Sequence, residues 1–168
     1  MVELIIEQDG FIGGHLCTHL PNALRTTRRR WEGNALFYDM LQKGPLPCAD
    51  VVYICAGVNG NLPCAREPSI SWRTNVDGTI HIADHFKDAF VVWISSAAVE
   101  WSAEIYGSQK RIVETYLRAL PNVAIVRAGR VLRSNVDILC AKMIALGRAK
   151  QRGVFPCLED TPFSALGV

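Results

Sequence analysis

Short, continuous apolar runs recur along the chain: Leu4-Ile5-Ile6, Ala35-Leu36-Phe37-Tyr38, Val51-Val52-Tyr53-Ile54-Cys55, Phe90-Val91-Val92-Trp93-Ile94 and Val123-Ala124-Ile125-Val126. Apolar runs that do not alternate with polar residues mark strands buried on both faces. Ala23-Leu24-Arg25-Thr26-Thr27 reads as one more strand, with little helix after it. Between the strands, helical spacing predicts helices over 11–20, 69–86 and 103–119, and another over 135–146. Pro21 and Asn22 stop the first of these. Helices between buried strands imply parallel crossovers, hence an α/β doubly wound parallel sheet in three α/β/α layers. Beyond Arg127 the pattern changes. Gly153, Pro156 and Pro162 predict an irregular tail, and 163–168 reads as a strand that breaks off with the chain.

With 168 residues, no internal repeat and no low-complexity linker, the chain is expected to form a single domain over 1–168. A formal charge of +2 is too small to point to nucleic acid or a membrane surface. No apolar run approaches the roughly 20 residues of a spanning helix. The acidic start Met1-Val2-Glu3-Leu4-Ile5-Ile6-Glu7 lacks the basic region of a leader. The six cysteines form no Cys-x-x-Cys pair and several lie in apolar segments, so they read as reduced thiols of a cytoplasmic protein.

The chemistry concentrates after the fifth strand run, which ends in Ser95-Ser96 and is followed by Tyr106-Gly107-Ser108-Gln109-Lys110. A Tyr and a Lys four residues apart share one helix face, with Cβ atoms about 5–6 Å apart. At that distance the ammonium is expected to favour the phenolate and lower the tyrosine pKa from its reference near 10. A serine hydroxyl at the strand end would hold a carbonyl or alcohol beside the phenol, completing a proton-transfer site. Taken alone, a Tyr-x-x-x-Lys pair is an ordinary surface contact worth roughly a few tenths of a kcal/mol. His15 with His19, and His81 with His85, share a helical interval but lack a matching third ligand, so they read as surface or core-edge residues. Trp72, Trp93 and Trp101 read as packing residues, with Trp101 also able to wall a pocket.

In an open parallel sheet a dinucleotide lies across the carboxyl ends of the strands, its pyrophosphate at the first helix N-terminus. Gly10-Phe11-Ile12-Gly13-Gly14-His15-Leu16 follows the first strand at that place. The string resembles the Gly-Phe-Ile-Gly-x-His-Leu of the extended short-chain dehydrogenase/reductases, the group that holds the sugar-nucleotide epimerases and dehydratases. Further segments resemble the same family in order: Asp39-Met40-Leu41, Cys55-Ala56-Gly57, Thr74-Asn75-Val76-Asp77-Gly78-Thr79 and Arg127-Ala128-Gly129-Arg130-Val131. The resemblance runs from about residue 2 to 132.

That resemblance implies a nicotinamide cofactor lined by Gly10, Phe11, Ile12, Gly13, Asp39, Ala56 and Gly57, with Lys110 on the nicotinamide ribose. It implies that Ser96, Tyr106, Lys110 and Asn75 form the catalytic set. Ser95 is the alternative to Ser96, which stands in register with Ala97-Ala98-Val99 where the family carries Ser-x-x-Val-Tyr-Gly. After the second strand the chain offers Arg25, Arg28, Arg29 and Arg30 and no acid until Glu32. Arginines there accept the 2′-phosphate of NADP, whereas an acid would accept the 2′-hydroxyl of NAD. NADP is therefore favoured over NAD, with Arg28 or Arg29 as the contact.

The chain departs from the family in four places. Glu7 replaces the first glycine of the turn, Glu100-Trp101 replaces Tyr-Gly, only ten residues separate Ser96 from Tyr106, and residues 133–168 resemble only the start of the family's substrate region. The resemblance implies an NADP-dependent oxidoreductase or epimerase-like enzyme acting on a hydroxyl/carbonyl pair of a sugar nucleotide, and a homodimer. Glu7, the short serine–tyrosine connection and the abbreviated tail favour a different reading, a non-catalytic descendant that keeps the fold to bind a nucleotide or a protein partner.

Overall fold

The computed structural model describes residues 1–29 and 34–158. Arg30, Glu32 and the strand expected at 163–168 lie outside the described residues. The chain runs β1 (Glu3–Ile6), α1 (Phe11–His19), β2 (Leu24–Thr27), β3 (Leu36–Phe37), β4 (Val51–Ile54), α2 (Asn61–Arg66) and α3 (Pro68–Trp72). A π-helical turn (Arg73–Gly78) leads into α4 (Thr79–His85), then β5 (Phe90–Ser96), α5 (Ala98–Trp101), α6 (Ile105–Arg118), β6 (Val123–Ala128), α7 (Val136–Ala149) and β7 (Gly153–Cys157). All paired strands are parallel, in the order β3-β2-β1-β4-β5-β6-β7. The chain reverses direction across the sheet between β1 and β4, which opens a crevice at their carboxyl ends.

Alternate residues of the continuous strands feed two cores. Leu4, Ile6, Val52, Ile54, Val91 and Trp93 pack against Ile82 of α4 and Val113 and Leu117 of α6. Ile5, Val51, Tyr53, Val92 and Ile94 pack against Leu16 of α1 and Leu139 and Met143 of α7. The central strands are apolar on both faces because each face is covered by helices.

One expectation fails here. Residues 153–157 are not irregular but form β7, paired with β6 from Ala124↔Gly153 to Ala128↔Cys157. Gly153 and Pro156 read as breakers in sequence. Among the described residues β7 closes one end of the strand order, and an edge strand tolerates a proline because one side of it needs no ladder donor. The short helices α2 and α5 were also hidden in the sequence, each being too brief to show a period.

Candidate active site

Position 7 shows most directly how the first turn is built. Glu7 adopts φ 72°, a left-handed conformation that glycine takes at least cost. The turn holds because its backbone is tied to β2: Glu7 N donates to Thr26 Oγ1 at 2.9 Å and Gln8 N to the Thr26 carbonyl at 2.9 Å. Gly10 then caps α1 with an extended backbone. Gly13 lies against the turn so closely that a Cβ there would sit 2.0 Å from the Glu7 carbonyl oxygen. Phe11 is 43% exposed, and Ile12 packs into the core beside α7.

The Glu7 carboxylate forms an ion pair with Arg28, Oε2 to Nε, at 2.9 Å. Asp9 Oδ2 accepts from Thr27 Oγ1 at 2.6 Å and from the Arg28 backbone N at 3.2 Å. The acids at the end of β2 therefore come from the β1–α1 turn, where the linear reading found none before Glu32. Burial raises the Glu7 carboxyl, Arg28 opposes that, and Asp9 adds to it. Arg29 N donates to Thr27 Oγ1 at 3.0 Å. Asp39 engages both carboxylate oxygens in its own turn, accepting from Leu41 N at 2.8 Å and Gln42 Nε2 at 3.4 Å.

The loop after β4, with Ala56 and Gly57, is held by Asn75. Asn75 is buried; its Oδ1 accepts from Val58 N at 2.7 Å and its Nδ2 donates to the Val58 carbonyl at 3.0 Å. Nδ2 also donates to Gln109 Oε1 at 2.7 Å, and Gln109 Nε2 donates to Ser71 Oγ at 2.9 Å. The rare π-helical turn thus links the β4 loop to α6, between Tyr106 and Lys110. Such turns occur frequently at functional sites. Gln109 carries no family signal and was not singled out from sequence.

Ser96, Tyr106 and Lys110 meet at the carboxyl end of β5. Strand alternation separates the two serines. Ser95 is buried and donates to Glu114 Oε1 at 2.6 Å, whereas the Ser96 hydroxyl accepts from Ala98 N at 3.2 Å and stands near enough to Tyr106 to draw its phenol down in part. The ten-residue connection reaches because α5 packs directly on α6. A Cβ at Gly107 would come within 2.7 Å of the Ser102 carbonyl. Arg111 Nη1 donates to the Val99 and Ser102 carbonyls at 2.9 and 2.7 Å, pinning the same connection. Trp101 on α5 is 69% exposed.

Lys110 is buried, donates to the Ile94 carbonyl at 2.9 Å, and stands 4.6 Å above the Trp93 ring. Its Nζ is 5.7 Å from the Tyr106 ring centroid. The expected lowering of the tyrosine pKa does not hold in this state. Burial pushes Tyr106 up to about 12, with the Ser96 hydrogen bond opposing only in part. Burial also brings Lys110 down to about 8, opposed by Cys64, Glu114 and Cys55. Desolvation dominates and Lys110 is not among the groups that shift the phenol, so the phenol keeps its proton.

One turn beyond Lys110, Glu114 is buried and takes a forked contact from Arg127, Nη2 to Oε2 at 2.7 Å and Nε to Oε1 at 3.0 Å. Arg118 joins it at 3.1 Å, and Arg127 Nη1 reaches Glu100 at 2.7 Å. Arg127 was legible only as part of a family string, and Glu114 not at all. Burial alone would raise Glu114, but hydrogen bonds from Arg127, Ser95 and Arg118 outweigh it and hold its carboxyl below the ordinary 4.5. A lowered carboxyl stabilises the fold above its unfolded pKa, and that stability is lost as pH falls through the folded value. Glu114→Gln is expected to cost about 1–3 kcal/mol at neutral pH and to flatten the acid limb of thermal stability below pH 4.5. Thermal melting of both proteins from neutral to acid pH checks this.

A cavity of about 240 Å³ lined by Val58, Pro63, Arg66, Glu67, Ile70 and Ser71 lies beside the braced loop, and none of the catalytic candidates lines it. His15 Nδ1 donates to the Phe11 carbonyl, and His19 pairs with Asp137 at 2.9 Å. Among the described residues no three such side chains gather to hold a metal, and no helix is long and apolar enough to cross a membrane.

No family model and no curated protein matches the chain. Solved structures do match. A hypothetical dTDP-4-dehydrorhamnose reductase from Sulfolobus tokodaii superposes with a TM-score of 0.78 at 17% identity, over 95% of this chain and 77% of that one. MoeE5, solved with UDP-glucose and NAD, gives 0.76 at 19% identity, over 96% and 76%. A dTDP-4-dehydrorhamnose reductase from Bacillus anthracis, solved with NADP, gives 0.72 at 15% identity, over 96% and 76%. The chain shares their fold. It is a Rossmann-type sheet of the kind found in these sugar-nucleotide enzymes.

Proposed function

We propose that the chain is an NADP-dependent oxidoreductase or epimerase-like enzyme of the short-chain dehydrogenase/reductase type, acting on a hydroxyl/carbonyl group of a sugar nucleotide. The observation that carries this reading is the meeting of Ser96, Tyr106 and Lys110 at the carboxyl end of β5, beside the Asn75-braced loop. The similar structures that were solved with UDP-glucose and NAD, or with NADP, support the ligand classes.

The cofactor's fit is mixed. Gly13, which has no room for a Cβ, closes a tight turn at the N-terminus of α1, and Lys110 is available to a nicotinamide ribose. Arg28, 63% exposed, and Arg29 follow the end of β2 as 2′-phosphate contacts, but Glu7 already engages Arg28. When bound, the nicotinamide supplies or takes up hydride. Ser96 holds the substrate oxygen, and Tyr106 Oη carries the proton delivered to it, a donor role that suits a phenol kept protonated by burial. Lys110, held by the Ile94 carbonyl, keeps a positive charge beside the phenol and lowers the cost of its transient phenolate.

Calorimetric titration with NADPH and NADH tests the cofactor reading. Binding in the micromolar range, about −8 kcal/mol, is expected. No heat from the folded protein with either ligand overturns it. Glu7 favours a second reading, in which the chain keeps the fold as a non-catalytic nucleotide- or protein-binding module. Hydride transfer to a panel of 4-keto sugar nucleotides separates the two.

A further inference from the structure

We infer that Glu7 is a specificity-determining residue, which narrows the preference for a 2′-phosphate over a 2′-hydroxyl by occupying the Arg28 guanidinium that the phosphate would take. The inference rests on the dinucleotide reading above and refines it.

Three observations converge on Glu7. Its left-handed backbone is imposed by the turn, yet the residue is a glutamate, so the carboxylate is held at that place despite a conformational cost that glycine would avoid. Its side chain lies under the turn that begins α1, since a Cβ on Gly10 would stand 3.9 Å from Glu7 Cγ. Finally, its two oxygens differ. Oε2 pairs with Arg28 at 2.9 Å, while Oε1 is buried with no hydrogen-bond partner.

Oε1 is buried beneath the turn, so what an arriving ligand meets is the exposed Arg28 guanidinium paired with Oε2. A phosphate must compete with Oε2 for that guanidinium, whereas a hydroxyl need not. Among the described residues, the charged or titratable groups facing Glu7 are Arg28 after β2, Asp9 in the same turn and Cys55 after β4. Asp9 is itself bonded to the Arg28 backbone, so two carboxylates flank one guanidinium. A 2′-phosphate arriving at Arg28 meets a site whose positive charge is already balanced. A 2′-hydroxyl does not have to displace anything.

The test is calorimetric titration of the full chain, Glu7→Gln and Glu7→Gly with NADPH and with NADH. Glu7→Gln keeps the shape and the backbone strain, while Glu7→Gly removes both. Thermal melting establishes that each variant is folded. Both variants are expected to shift the NADPH-to-NADH affinity ratio toward NADPH by roughly tenfold or more, because a charge-assisted contact is regained at Arg28. Adding Arg28→Ala to Glu7→Gln is expected to cancel the gain. An unchanged ratio in both variants, or a gain that survives Arg28→Ala, overturns the inference and leaves the cofactor reading standing. Absence of binding by all three folded proteins overturns both.

Discussion

Tyr106→Phe is expected to lower turnover of a keto sugar nucleotide by roughly 10²–10⁴-fold while leaving stability nearly unchanged. The substitution deletes one hydroxyl from a half-buried ring in the first turn of α6. That hydroxyl stands beside the Ser96 side chain. Dinucleotide binding should persist, because Gly10, Gly13, Asn75 and Lys110 are untouched. Nicotinamide absorbance under steady-state conditions reads the chemistry, and calorimetry on the same preparation reads the binding. Equal turnover in the two proteins would remove Tyr106 as proton donor. A wild-type chain that binds the cofactor but reduces no substrate would favour the non-catalytic reading. Because burial holds the phenol at about 12, the reductive direction should show no tyrosine deprotonation limb through neutral pH.

Gly13→Ala carries the largest structural penalty. Its Cβ would lie 2.0 Å from the Glu7 carbonyl oxygen and 3.0 Å from the carbonyl carbon, both of them backbone atoms. No rotamer change can relieve such an overlap. Either α1 moves off the sheet, losing its contacts with β1 and α7, or the turn opens and gives up the bonds from Glu7 and Gln8 to Thr26. A loss of about 3 kcal/mol or more is expected, at the severe end for a one-methyl change. Thermal or urea unfolding measures it. Gly14→Ala is the milder comparison, since its Cβ would meet the Gln8 carbonyl oxygen at 3.3 Å, an approach that a shift of a few tenths of an ångström relieves. If the two variants melt together, the close approach of α1 to the turn is not what holds this corner.

Much of the architecture could be read from the chain because the deciding signals are local. Val51–Ile54 and Phe90–Ser96 are continuous apolar runs, and only a strand covered on both faces tolerates them. The motifs after β1, β4 and β5 sit at strand ends, where an open parallel sheet places its ligands. Residues 153–157 escaped because Gly153 and Pro156 argue against a strand everywhere except at an edge, and edge position is not a local property. Gln109 and Glu114 escaped for a related reason. Polar residues in an amphipathic helix read as its solvent face until the partners Asn75 and Arg127 are seen.

By itself, then, the sequence determined the class of fold, the order of its elements and which residue types stand at each strand end. Apolar periodicity and turn chemistry act over a few residues and survive without a partner. The tertiary structure alone decided the charge state of those residues. Tyr106 is raised and not lowered because desolvation by everything packed around it decides its pKa, and the Lys110 spacing adds nothing that offsets it. Glu7 meets Arg28 because β1 and β2 are hydrogen-bonded neighbours, which brings together residues that the chain keeps apart. Burial and long-range pairing set the electrostatics of this site, and neither is written in any local stretch of sequence.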